Sequence, residues 1–69
     1  MEHFVLKDQH NNPNGLIPIL EDDYDTALEK AKSRAKKKCN IMTDITIYHR
    51  TQDKYSETLT SVMTVKDKR

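Results

Sequence analysis

A chain of 69 residues has room for one domain, and a domain of that size buries only about 60% of the surface its unfolded chain exposes. Its 12 basic and 11 acidic residues leave a formal charge of +1, so the broad basic excess typical of nucleic-acid binders is missing; the apolar residues, at 35%, are few but grouped, which argues for folding over disorder. The single cysteine, Cys39, excludes an intrachain disulfide and points to a reducing compartment or an incidental thiol, and neither a bilayer-length apolar run nor a signal-like N-terminus is visible, so a cytoplasmic location is expected.

Residues 3–7 (HFVLK) mix aromatic and β-branched side chains and predict a short strand. The stretch 8–15 (DQHNNPNG) is dense in turn formers, and 16–20 (LIPIL) predicts a second strand in a hairpin with the first. Pro18 cannot donate to a ladder, which assigns that strand to an edge or a bulge. Over residues 22–39, Tyr24, Leu28, Ala31, Ala35 and Cys39 recur at spacings of three and four, the period of one helical face. Asp22 or Asp23 is expected to cap this helix, and Asn40 to end it in the left-handed conformation.

Residues 41–50 alternate with period two, placing Ile41, Thr43, Ile45, Ile47 and His49 on one face. Residues 55–65 alternate as well, with Leu59, Met63 and Val65 on one side. Setting Ile47 opposite Leu59 requires an odd loop, 52–54 or 51–55, and makes Ile45 face Ser61 and Tyr48 face Thr58. The tail 66–69 (KDKR) is expected to fray.

The order β-β-α-β-β over residues 1–69 predicts a single α+β domain: a four-stranded antiparallel sheet with one helix packed on one face. Leu28, Ile45, Ile47 and Leu59 should be buried together. Because one helix covers one face only, the other, carrying Met42, Thr46, Tyr48, Arg50, Thr58, Thr60 and Val62, should be open or used.

No phosphate-cradling glycine loop or nucleophile-elbow motif occurs in a sequence with one glycine, so no cofactor and no catalytic residue is assigned. His3, His10, His49 and Cys39 lack zinc-ligand spacing, and the acidic run 21–25 (EDDYD) lacks the spacing of a hard-ion loop, so no metal is expected. His49 should pair with Glu57 across the hairpin, and Cys39 should be a small buried thiol at the end of the helical stripe. The basic run holds Lys30, Lys32, Arg34, Lys36, Lys37 and Lys38; on a helix these residues surround the polar arc, as a solvated helix end would, with phosphate contact the alternative. Tyr48 and Arg50 on the uncovered face are the residue types that anchor protein interfaces, whereas single-strand readers usually present two or three aromatics.

The stretch 20–37 (LEDDYDTALEKAKSRAKK), with Asp22, Tyr24, Ala27, Leu28 and Ala31 following a short hairpin, resembles small phage and prophage-type ββαββ proteins of bacteria. That resemblance implies binding to a host protein in a bacterial or host cell. The sequence therefore leads to the expectation of a non-catalytic, homodimeric protein-interaction module, with a small nucleic-acid-binding module as the alternative.

Overall fold

A computed structural model describes residues 2–20 and 23–67. Strands β1 (Glu2–Asp8) and β2 (Pro13–Ile19) precede helix α1 (Tyr24–Lys38), and β3 (Ile45–Gln52) and β4 (Glu57–Val65) follow it. All four strands form one antiparallel sheet in the order β2-β1-β3-β4, so the fold is α+β as its sequence pattern implies. The helix lies between two hairpins, and the first strand of each, β1 and β3, is central. Pro18 sits in β2 at one edge, where the missing N–H costs no ladder bond.

The helix is held by small side chains. Ala27, Ala31 and Ala35 are buried against Phe4, Leu6, Ile45 and Ile47, all four of which are fully enclosed, and Ile17, Ile19 and Val65 close the flanks. The alanine row puts Ala27 where the apolar stripe suggested Tyr24, which is half exposed with its ring edge-on to Phe4 at 5.1 Å. Leu28 and Cys39 are partly buried beside the row. Asp23 occupies the position before the helix without a side-chain capping bond, and Asp22 lies outside the described residues. The end also differs from expectation: Cys39 turns the chain out in an extended conformation (φ −73°, ψ 151°), and no left-handed Asn40 occurs.

Polar side chains tie the turns. The Asp8 carboxylate accepts the backbone N–H groups of His10 and Asn12, each at 2.9 Å, while Asn11 adopts φ 66°. A bulge opposite Leu6 and Lys7 follows, and there Gly15 has φ 149°, a region open to glycine and strained for other residues. The run 41–44, expected to be strand, is instead a loop. Asn40 and Thr43 bridge each other, and Gln9 clamps the loop from outside, donating to the Met42 carbonyl at 2.6 Å and accepting from the Asp44 N–H at 3.0 Å. Ile41 and Met42 are consequently exposed.

The second hairpin departs most from the sequence reading. Its loop has four residues, 53–56, closed by Asp53, whose Oδ1 accepts from the backbone of Tyr55 and Ser56 at 2.7 Å. Ile47 pairs with Met63 instead of Leu59, Ile45 with Val65 instead of Ser61, and Tyr48 with Ser61 instead of Thr58. Between Ile47 and Tyr48 the ladder shifts by one, leaving Val62 as the extra residue of a bulge. Met63 and Val65 thus face the helix, whereas Leu59, expected in the core, lies 41% exposed on the opposite face.

These placements fix the response to substitution. Ile47→Ala should cost about 2–5 kcal/mol in denaturant unfolding, against under about 1 kcal/mol for Leu59→Ala. Equal losses would show that β4 pairs in the other register. Gly15→Ala should cost about 1–3 kcal/mol through backbone strain alone, since a Cβ there would meet its nearest neighbour, Arg34 Cγ, at an ordinary 3.6 Å.

Candidate functional site

With α1 on one side, the other face of the sheet has no described element over it. Strand pairing sets its side chains in rows: Leu16, Val5, Tyr48 and Ser61 across one line, and Pro18, His3, Arg50 and Leu59 across the next. Lys7, Thr46 and Thr64 form a third, in which the two threonine hydroxyls bond at 3.0 Å. Val5 is buried although no element covers it, because Leu16 and Tyr48 flank it in its row and Lys7 reaches over the Tyr48 ring at 5.8 Å. Leu16, Leu59 and Val62 remain exposed around this centre.

Of the residues assigned to this face from sequence, Thr46, Tyr48 and Arg50 are on it, and Val62 is at the bulge. Met42 is not in the sheet but in the Gln9-clamped loop. Thr58 and Thr60 are on the opposite face, because Thr60 pairs with His49, whose ring packs against Phe4 and Tyr24. The four-residue loop put them there and brought Leu59 and Ser61 in their place. Leu16, Val5 and His3 belong to the face as well; alternation along β1 and β2 was the signal for them.

Arg50 is the most heavily engaged polar group on this surface. Its Nη2 donates to His3 Nδ1 at 3.0 Å, and its Nε lies 3.6 Å from the Glu57 carboxylate, an ion-pair distance too long for a hydrogen bond. That Nε is buried without a hydrogen-bond partner. Glu57 therefore serves Arg50, not His49, whose Nε2 lies 3.2 Å from Glu2 on the helix side. Partial burial holds the His3 pKa below its ordinary value, and the Arg50 charge acts in the same direction, consistent with a neutral imidazole accepting from the guanidinium.

The basic run divides. Lys30, Arg34 and Lys37 fall on the flank of α1 that faces the β2 edge, and Lys32 and Lys36 fall on the opposite flank, where Lys32 pairs with Glu29 at 3.5 Å. Lys36, Lys37 and Lys38 occupy the last turn, where cations complement the helix dipole. Cys39 donates weakly to the Lys36 carbonyl at 3.5 Å, and no group of three or more His, Cys, Asp or Glu among the described residues is placed to hold a metal ion. No described helix is long and apolar enough to cross a membrane. Comparison with family models, with curated proteins and with solved structures finds no match to this chain.

The His3–Arg50 bond makes stability depend on pH. The folded-state pKa of His3 lies below its ordinary value of 6.5, so the unfolded chain takes up the proton first. Its contribution is complete above that value and is lost as pH falls through the folded pKa. Wild type should lose denaturant stability relative to His3→Asn between pH 7 and pH 5; parallel pH profiles would remove His3 as the cause. Asp8 and Asp53 have pKa values lowered from 3.8, each mainly by a backbone N–H bond, from Asn12 and Tyr55 respectively, so their contributions persist to lower pH and vanish only under stronger acid.

Proposed function

We propose that this chain is a small non-catalytic protein-binding module that grips its partner with the helix-free face of the sheet. The observation that carries this reading is the centre of that face. Tyr48 and the part-buried Arg50, which has an unsatisfied Nε donor, sit among Val5, Leu16, Leu59 and Val62. Interfaces favour an aromatic and an arginine at the centre of an apolar patch. A nucleic-acid reading of the same face is less well supported, because Tyr48 is the one aromatic in its three rows and stacking platforms use several. The phage-type resemblance favours a bacterial host protein as that partner. A second copy of the chain is the other occupant the face would take, since a thin core with one bare sheet face invites self-association.

Two measurements test the reading. Tagged wild type should retain a bacterial protein from lysate, and Tyr48→Ala or Arg50→Glu should release it, while Thr58→Ala with Thr60→Ala on the other face should not. In sedimentation equilibrium at micromolar concentration the free chain should form a dimer that Leu59→Ser weakens. Partner capture and self-association that are both indifferent to Tyr48, Arg50 and Leu59 would rule this face out.

A further inference from the structure

A second surface runs between α1 and the β2 edge, meeting the sheet face at Leu16 and Pro18. Two adjoining hollows of about 240 Å³ each share Ile17, Lys30 and Arg34, and together form one groove along the helix. Its apolar lining includes Ile17, Ala27 and Leu20, the last of these 57% exposed. Lys30, Arg34 and Lys37 stand along one wall at spacings of four and three, so their charged ends line up on one side of the helix. None of the three has an ion-pair partner among the described residues. Among the described residues of the lining these three cations stand against one acid, Asp23; Glu21 and Asp22 lie outside the described residues. The opposite flank of the helix is balanced, with Asp25 and Glu29 beside Lys32 and Lys36.

We propose that this groove binds an acidic peptide segment carrying an aliphatic side chain. The carboxylates would meet Lys30, Arg34 and Lys37, and the aliphatic group would cover Leu20 and Ile17. Charge complementarity selects the acid, and the exposed leucine selects the apolar anchor. Phosphodiester is the poorer match. No aromatic lines the groove to stack a base, and an exposed aliphatic floor offers nothing to a phosphate chain. Addition of a peptide as a fifth strand is also disfavoured, since Pro13 and Pro18 remove two N–H donors from β2, so side chains must hold the ligand.

The test uses a fluorescein-labelled peptide of repeated Glu-Glu-Leu, with Gln-Gln-Leu and Glu-Glu-Ser repeats and a labelled oligothymidylate as comparators, read by anisotropy at physiological salt. The Glu-Glu-Leu peptide should bind about tenfold more tightly than either peptide comparator and more tightly than the oligonucleotide. Lys30→Glu with Lys37→Glu should weaken it about tenfold, and Leu20→Ser several-fold. The same charge change on the far flank, Lys32→Glu with Lys36→Glu, should stay within about twofold, because charges beyond a Debye length of about 8 Å are screened. Arg34 is left intact because its stem packs over Gly15. Equal loss from both charge pairs, or equal binding of the Gln-Gln-Leu peptide, overturns the proposal. Tighter binding of the oligothymidylate that ignores Leu20→Ser overturns it too, and assigns the groove to nucleic acid. Neither result bears on Tyr48 and Arg50, which lie outside the groove.

Discussion

The rest of the molecule depends on three alanines one helical turn apart, Ala27, Ala31 and Ala35, lying on the fully buried side chains of Phe4, Leu6, Ile45 and Ile47. Small residues on the helix let bulky ones on the sheet fill the space between the layers, so a short chain still encloses a packed core. The same contact fixes what is left outside. One helix has one apolar stripe, and a sheet has two faces. At the N-terminal end of α1 the contact finishes in a ring cluster: Phe4 touches both Tyr24 and His49, and Glu2 holds the His49 imidazole. The outer part of β4, with Thr58 and Thr60, lies beyond the helix and stays wet although it belongs to the covered face.

With one glycine in the chain, the turns are built by side-chain hydrogen bonds. Asp8 and Asp53 each collect backbone N–H groups that would otherwise need water, and the Gln9 amide makes two opposite bonds to a loop more than thirty residues away. These contacts use polar atoms at the surface and spend no apolar area, which suits a composition of 35% apolar residues. The single glycine is placed where no polar substitute serves, at the positive φ beside the first bulge.

Two surfaces follow from this economy, with opposite characters. The bare sheet face is apolar with a guanidinium set into it, and that charge is matched by Glu57. The groove beside β2 is an unmatched line of cations over a small apolar floor. Near-neutral total charge hides that contrast, because one flank of the helix mixes acids with bases while the other gathers Lys30, Arg34 and Lys37.

Local pattern determined much of this protein. Aromatic and β-branched residues marked β1, alternation marked β3 and β4, the three-four period marked α1, Pro18 marked an edge, and the element order dictated one covered and one bare face carrying Tyr48 and Arg50. Those features are read within a few residues of each other, where backbone geometry dictates the period. Tertiary structure alone decided the partners. Asp53 closed a loop of four residues where strict alternation asked for an odd number, which turned Leu59 and Ser61 outward and Thr58 and Thr60 toward the helix side. A bulge at Val62 then restored the parity, so Met63 and Val65 still reach the core. Either half of β4 satisfies alternation by itself, and only burial against Ile45 and Ile47 chooses the slip that joins them. The basic run was legible as a charge cluster, but which three of its six cations face an apolar groove depends on how the helix is rotated over the sheet, and the alanine row sets that rotation.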